Sequence, residues 1–250
     1  METSRTVIYY LSGAGNSLRI ARDLAERIGD TSLVPLAKVA MEEMPALQAD
    51  RVGLVFPVIM FGMPTLVLRF LKMVHLSEDA YVFAVAANGG KMAGTLGHMD
   101  RTLRKRGSRL ASAFSVVSHQ LAKDPDLKEE VLAGIAATVR EKKESPVPAG
   151  SFVERVFMTG VANGLARMLI PVMDRGFRAN ERCNGCGMCA KVCPVHNVDL
   201  VSGKPVWRHK CVQCLACLHW CPEAGMDYGK KTEIWLHKCP EMTLEEYLRG

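Results

Sequence analysis

The chain has 250 residues, of which 48% are hydrophobic, and this is enough for one large core or two smaller ones. Its formal net charge of +6 counts nine cysteines as neutral, so any that ionise lower it. Aromatic residues are not interleaved with the basic ones, and nucleic-acid binding is therefore not indicated. The most apolar late stretch, residues 161–173, is too short to cross a membrane, and the apolar run after residues 1–5 is shorter than a signal-peptide core, so we expect no membrane span and a cytoplasmic location.

Strands and helices alternate along the first 145 residues. Short runs of β-branched and other apolar residues predict five strands, at 7–11, 32–36, 51–57, 81–87 and 109–118. Apolar residues at helical spacing predict helices at 18–28, 65–74, 94–106 and 124–143. Asp124 and Pro125 have the residue types that begin a helix. This alternation predicts an α/β fold with a doubly wound, five-stranded parallel sheet covered on both faces.

A glycine-rich loop joins the first predicted strand to the first predicted helix. It consists of Ser12, Gly13, Ala14, Gly15, Asn16 and Ser17. Such a loop directs backbone N–H groups and a helix N-terminus at an anion. The loops after the first, third and fourth strands meet at the carboxyl edge of a parallel sheet, where ligands bind. The loop is not a Walker loop, because it lacks the Gly-Lys-Ser/Thr ending. Simple packing is the alternative role for its glycines.

Eight of the nine cysteines form two C-x2-C-x2-C-x3-C-P runs. The first run contains Cys183, Cys186, Cys189 and Cys193, and the second contains Cys211, Cys214, Cys217 and Cys221. In this spacing three sulfurs reach one four-iron cube and the fourth reaches the other cube. We therefore predict one [4Fe–4S] cluster on the first three cysteines of the first run with Cys221. The second cluster is predicted on the first three cysteines of the second run with Cys193. Zinc and disulfides are the less favoured alternatives.

The two cysteine runs belong to an internal repeat with a shift of 28 residues. The sequence around Trp207 and Cys211 returns around Trp235 and Cys239. No C-x2-C follows Cys239, which we interpret as a vestige of the repeat with a free thiol and not as a ligand. Between the domains, residues 146–178 are predicted to form a linker and a helical lid, with a helix pair around Gly160 to Gly164.

The chain resembles the fused flavodoxin–ferredoxin proteins of anaerobic bacteria, often labelled ferrodoxins. Residues 10–17, 56–64, 88–90 and 183–194 carry the resemblance. It implies a flavodoxin-like FMN-binding domain at 1–145, a small α+β bacterial 2[4Fe–4S] ferredoxin domain at 179–229 and a C-terminal tail at 230–250. Thr243 and Glu246 have capping-box spacing within that tail.

The same resemblance implies the residues that bind FMN. The glycine-rich loop from Ser12 to Ser17 would hold the phosphate, and two further loops would flank the flavin ring. The flanking residues are Pro57, Val58, Ile59, Met60, Phe61 and Gly62, followed by Asn88, Gly89 and Gly90. Ala14 departs from the pattern, because such loops usually have threonine or serine there. Met60, Phe61 and Met63 stand where flavodoxins commonly offer tryptophan and tyrosine.

The expected function is electron transfer between two [4Fe–4S] clusters and FMN in anaerobic metabolism, with redox proteins as donor and acceptor. No catalytic residue is assigned. An FMN-dependent reductase of a small acceptor, such as a quinone or corrinoid, is the alternative, and it would use His119 or Lys91. A third hypothesis is a non-flavin module attached to a ferredoxin. Five basic residues are interpreted as a solvated helix C-terminus, with a docking patch for an acidic redox partner as the alternative, and they are Arg101, Arg104, Lys105, Arg106 and Arg109.

Overall fold

The computed structural model describes residues 6–39, 49–77 and 79–249. Residues 1–5, which come before the apolar run at the N-terminus, lie outside the described residues. The first half contains five strands, which are β1 Thr6–Tyr10, β2 Thr31–Pro35, β3 Arg51–Pro57, β4 Tyr81–Asn88 and β5 Ser112–Val117. All neighbouring strands are parallel, in the order β2-β1-β3-β4-β5. This is the order of a flavodoxin-like doubly wound sheet, so the predicted fold class is confirmed.

Helices cover both faces of this sheet. They are α1 Asn16–Ile28, α2 Leu36–Val39, α3 Thr65–Met73, α4 Thr95–Arg104, α5 Ser118–Leu121 and α6 Pro125–Arg140. Leu24 of α1 and Ile135 of α6 pack on one face, and Phe70 of α3 and Met99 of α4 pack on the other. Because successive strand residues point to opposite faces, a strand covered on both sides must be apolar throughout, and β4 is buried along its whole length.

The residues after Ser151 form one continuous helical run. It consists of a π-helical segment Glu154–Ala162, α7 Asn163–Leu169 and a 3₁₀ segment Ile170–Gly176. The predicted helix pair was wrong, because glycine costs a helix only about 1 kcal/mol. Hydrogen bonds from Thr159 and Asn163 to the first domain fix the run on both sides of Gly160 and immediately before Gly164. The run from Glu154 to Gly176 has 23 residues, and by length and composition alone it could cross a membrane. The sequence analysis considered only residues 161–173, which are too few to do so.

The cysteine-rich part contains two small antiparallel sheets and two short helices. The strands are β6 Phe177–Ala179, β7 Val198–Val201, β8 Lys204–Trp207 and β9 Met226–Tyr228, and the helices are α8 Met188–Lys191 and α9 Ala216–His219. Strand β6 pairs with β9, and β7 pairs with β8. Each short helix begins within a cysteine run. This small α+β unit agrees with the predicted fold class.

The C-terminal tail contains a 3₁₀ segment Thr232–Trp235 and α10 Leu244–Arg249. The predicted capping box is present, because the Glu246 N–H donates to Thr243 Oγ1 at 3.2 Å and the Thr243 N–H donates to the Glu246 carboxylate at 2.7 Å. The tail then returns to the first domain. The hydroxyl of Tyr247 donates to the Ser12 carbonyl at 2.8 Å, and its ring stacks on the buried Trp220.

Candidate cofactor sites

Four of the eight motif cysteines surround one small apolar cavity. They are Cys193, Cys211, Cys214 and Cys217. These four are the set that the spacing predicts for the second cluster. Burial, with a contribution from repulsion by Cys193 and Cys211, raises the pKa of the Cys214 thiol to about 12. Such thiols ionise together only when metal ions compensate their charge, as the irons of a cluster do.

The other four motif cysteines lie in a more open environment, with Cys186 exposed. Burial raises the pKa of the Cys189 thiol, and repulsion from Cys221 and Cys183 adds to the effect, so these three thiols are neighbours. The fourth cysteine of each run accepts a backbone N–H at 3.2 Å, from Asn197 to Cys193 and from Gly225 to Cys221. Cys193 thus lies with the first three cysteines of the second run, and Cys221 lies near Cys183 and Cys189 of the first. Hydrogen bonds to sulfur also tune a cluster's potential.

Zinc is the alternative metal for these cysteines. A zinc site requires about four side chains to converge on one ion. Within the described ranges, no group of three or more His, Cys, Asp or Glu side chains could hold a single metal ion. The four ligands of an iron–sulfur cube bind four different irons and do not have to converge on one point.

A larger cavity of about 640 Å³ lies at the carboxyl ends of β1, β3 and β4. Ten of the predicted cofactor-binding residues line it, and they are Ser12, Gly13, Ala14, Asn16, Ser17, Pro57, Val58, Ile59, Asn88 and Gly89. The buried hydroxyl of Ser12 has no hydrogen-bond partner among the described residues. No side chain caps the first turn of α1, and Lys123 and Lys238 add positive charge to the wall. These free donors and cations fit the phosphate of a mononucleotide.

The two cavities share a wall. Cys214 and Leu215 line both of them. A Cβ added at Gly13 would overlap the carbonyl oxygen of Cys214, so the glycine-rich loop and the second cysteine run are in direct contact there. The indole N–H of Trp220 donates to the Gly13 carbonyl at 2.7 Å, and the Cys239 N–H donates to the Ala14 carbonyl at the same distance. Glycine at position 13 is therefore a requirement of the close approach between the domains.

Comparison with known proteins identifies the cysteine-rich part. Residues 182–226 match the family model of a 4Fe-4S dicluster domain, and the N-terminal sheet has flavodoxin-like order. The chain therefore joins a domain of flavodoxin-like sheet order to a part that matches a 4Fe-4S dicluster domain, and we refer to it as the fusion. No curated protein is significantly similar to it in sequence.

Solved structures similar to the fusion include two flavodoxins. The flavodoxin of Streptococcus pneumoniae TIGR4 is 16% identical over 55% of this chain and 98% of its own, with a TM-score of 0.42. The two-electron reduced flavodoxin of Megasphaera elsdenii is 18% identical over 53% of this chain and 98% of its own, with a TM-score of 0.37. Rubredoxin oxygen:oxidoreductase from Desulfovibrio gigas is 19% identical over 56% of this chain and 36% of its own, with a TM-score of 0.40.

Five predicted cofactor-binding residues of the fusion lie outside the wall of the larger cavity. They are Gly15, Met60, Phe61, Gly62 and Gly90. Residues 59–62 form a tight turn closed by two backbone hydrogen bonds between Ile59 and Gly62, of 3.0 and 3.1 Å. The helical run after Ser151 holds this turn: Asn163 Nδ2 donates to the Met60 carbonyl at 3.0 Å, and Thr159 Oγ1 donates to the Phe61 carbonyl at 2.9 Å. The helical run is therefore fixed to the loop after β3, and its role as a lid stays a prediction.

Eleven wall residues of the fusion were not predicted from the sequence as cofactor-binding. They are Ala87, Ser118, His119, Ala122, Lys123, Gln213, Cys214, Leu215, His237, Lys238 and Pro240. The last six come from the cysteine-rich part and the tail, more than 120 residues after β4. The second cysteine run, which contains Cys214, was interpreted as a cluster site, and the repeat around Cys239 was interpreted as a vestige. Cys239 is buried beneath the glycine-rich loop, so its position in the fold gives it a packing role.

Asn163→Ala should destabilise the fusion by about 1–3 kcal/mol, because the partly buried carbonyls of residues 59 and 60 would lose their shared donor, the amide of the almost fully buried Asn163. Leu165→Ala is the matched control two positions later, since that side chain is 59% exposed and its loss should change stability by less than about 0.5 kcal/mol. Anaerobic urea unfolding followed by circular dichroism measures both. Equal effects of the two changes would show that Asn163 does not hold the turn.

Proposed function

We propose that the fusion is an electron-transfer protein that relays electrons between FMN and two [4Fe–4S] clusters. Cys183, Cys186, Cys189 and Cys221 would hold one cluster, and Cys193, Cys211, Cys214 and Cys217 would hold the other. The observation that carries the proposal is the shared wall: Cys214 lines both the larger cavity and the cavity between the cysteines. A cofactor in the larger cavity would therefore be separated from a cluster by little more than one ligand, and no domain movement would be needed between them.

The residues of the larger cavity have distinct roles in this proposal. The Ser12 hydroxyl and the N–H groups at the start of α1 would bind the FMN phosphate, with Lys123 and Lys238 supplying charge. Leu215 and the buried Trp220 exclude water from the contact between the two cofactor sites. FMN accepts up to two electrons whereas each cluster transfers one, so the bound set would join one-electron and two-electron chemistry. The protein's contribution is position, burial and hydrogen bonds.

Anaerobic purification with iron, sulfide and flavin quantified per chain tests this proposal. We expect about eight irons, from two four-iron cubes, together with about one FMN. Iron without flavin would support the third hypothesis, a ferredoxin attached to a non-flavin module. A chain with zinc in place of iron would contradict the cluster assignment.

The cellular role follows from the same chemistry. We propose that the donor and the acceptor are redox proteins, that the fusion works in anaerobic metabolism and that it is cytoplasmic. All nine cysteines are free thiols in the structure, and cytosolic thiols stay reduced. Rapid electron exchange with another redox protein, and slow reaction with small acceptors, would agree with this role.

An FMN-dependent reductase is the second candidate, because His119 lines the larger cavity. Lys91, the other residue considered for that role, is outside the wall. Steady reduction of a quinone by the isolated protein, lost in His119→Ala, would favour the reductase. Turnover that depends on a second redox protein would favour the relay.

A further inference from the structure

The helical run after Ser151 exposes its apolar side to solvent. The exposed large apolar residues of residues 152–169 are Phe152, Val153, Val156, Phe157, Val161, Leu165, Met168 and Leu169. Phe157 is 59% exposed and Met168 is 76% exposed. A soluble helix ordinarily turns such residues towards the core, and a large exposed apolar patch marks an interaction surface. We refer to these eight residues as the apolar face.

Three of the four buried side chains of the same run are polar, with Ile170 the fourth, which is the reverse of the usual arrangement. Thr159 and Asn163 are almost fully buried and hydrogen-bonded to the turn at residues 59–62. Asp174 is fully buried and accepts a hydrogen bond from Asn197 at 2.9 Å and one from the His209 N–H at 2.8 Å. These bonds fix the rotation of the run. The apolar face therefore cannot turn inward, and the run cannot leave the domain to span a bilayer without leaving buried polar groups unpaired.

A basic cavity lies beside the run, between it and α4. Its volume is about 360 Å³, and Arg101, Lys105, Arg155 and Arg167 all line it. None of these four cations forms an ion pair within the part of the chain that the structure describes. Burial lowers the pKa of His98, another wall residue, and the positive charges of Arg101, Arg167 and Lys105 lower it further. The cavity thus concentrates positive charge without a protein counter-ion.

We propose that the apolar face and the basic cavity together dock the protein on the surface of a membrane that contains anionic lipids. The run would lie in the plane of the interface, with Phe157, Leu165 and Met168 among the upper acyl chains and a lipid phosphate in the cavity. An apolar helix face flanked by cations is the arrangement of interfacial helices. Each arginine or lysine near an anionic surface strengthens binding by about fivefold.

The positive charge also decides between the membrane and a second copy of the chain. A symmetric dimer through the apolar face would bring two sets of unpaired cations towards each other, and like charges oppose association. An anionic surface instead supplies the missing counter-ions. The proposal does not depend on which cofactors the protein holds.

Vesicle flotation of the full, anaerobically prepared protein tests the proposal. Vesicles of phosphatidylcholine alone are compared with vesicles that also contain phosphatidylglycerol, at low and high salt. The first variant is Phe157→Ser with Leu165→Ser, and its matched control is Ile234→Ser with Leu236→Ser, which are also exposed apolar residues. The second variant is Arg101→Gln with Arg167→Gln, and its matched control is Lys230→Gln with Lys231→Gln, which are exposed cations outside the cavity.

We expect binding to the phosphatidylglycerol vesicles that salt weakens. The serine pair on the apolar face should weaken it by about tenfold or more, and the glutamine pair in the cavity by about twenty-five-fold, from about fivefold for each charge. The two control pairs should bind as the unaltered protein does. Circular dichroism checks that each variant is folded, and because one pair changes only the apolar face and the other only the basic cavity, either one tests the proposal alone.

Several results would overturn the proposal. They are absence of binding to both kinds of vesicle, equal binding to vesicles without phosphatidylglycerol, and binding that neither variant weakens. Sedimentation of the protein as a dimer that the serine pair dissociates would assign the apolar face to a second copy. If the protein had no affinity for vesicles but bound an acidic protein, and the serine pair weakened that binding, the apolar face would be assigned to the protein partner.

Discussion

Replacing Cys193 and Cys211 together by serine should leave the fusion with about four irons per chain, half of the number expected for the unaltered chain. These two cysteines come from different runs but line one cavity, so both changes would remove ligands from the same cluster. The first cluster, on Cys183, Cys186, Cys189 and Cys221, would keep its four cysteines. Iron and sulfide analysis of anaerobically purified protein measures the result.

The matched double variant pairs Cys193 with Cys186. In the proposed assignment these two cysteines of the first run hold different clusters, so serine at both positions should remove nearly all iron. If each run held its own cluster, the two results would be reversed: the pair within one run would keep about four irons and the pair across the runs would keep none. Cys239→Ser is the control and should retain about eight irons, because Cys239 belongs to neither set.

Gly13→Ala should destabilise the fusion by about 3 kcal/mol or more and weaken FMN binding by about tenfold or more, because the added methyl group would overlap backbone and not a movable side chain. The overlapping atom is the carbonyl oxygen of Cys214, in the wall that the two cavities share. To accept the methyl group, the glycine-rich loop must separate from the second cysteine run. Thermal unfolding and titration with FMN, both without oxygen, measure the two effects.

Gly134→Ala is the matched control for this prediction. Gly134 lies inside α6, and a Cβ added there would meet no atom within 4 Å. Because glycine is unfavourable in a helix interior, this change should stabilise the protein by about 0.5–1 kcal/mol and leave FMN binding unchanged. If Gly13→Ala were as harmless, the contact between the loop and the cysteine run would not matter for either cofactor.

Local patterns in the sequence predicted most elements of the first domain. The third strand was predicted at 51–57, which are the bounds of β3, and the fourth at 81–87, one residue short of β4. Asp124 caps α6 as expected, with the Leu127 N–H donating to its carboxylate at 3.0 Å. These features depend on side-chain periodicity and on interactions between residues three or four apart, so a single sequence contains them.

The connecting helix was predicted less well. Gly160 and Gly164 suggested a break, but the helical run passes through both. The contacts that decide this outcome join Thr159 and Asn163 to carbonyls about one hundred residues earlier in the chain. No local pattern reports such a contact. The exposed apolar face was equally hidden, because a sequence shows that a residue is apolar but not which way a helix is rotated.

The sequence alone determined the chemistry that the chain can hold: two cysteine runs with cluster spacing, a glycine-rich loop after a buried strand, and a parallel sheet to support it. Only the tertiary structure decided that the two sites adjoin, since Gly13 meets Cys214 and Trp220 reaches the Gly13 carbonyl from 207 residues away. The physical reason is range. Ligand spacing and hydrophobic periodicity act over a few residues, whereas the shared wall exists only after distant segments have packed together.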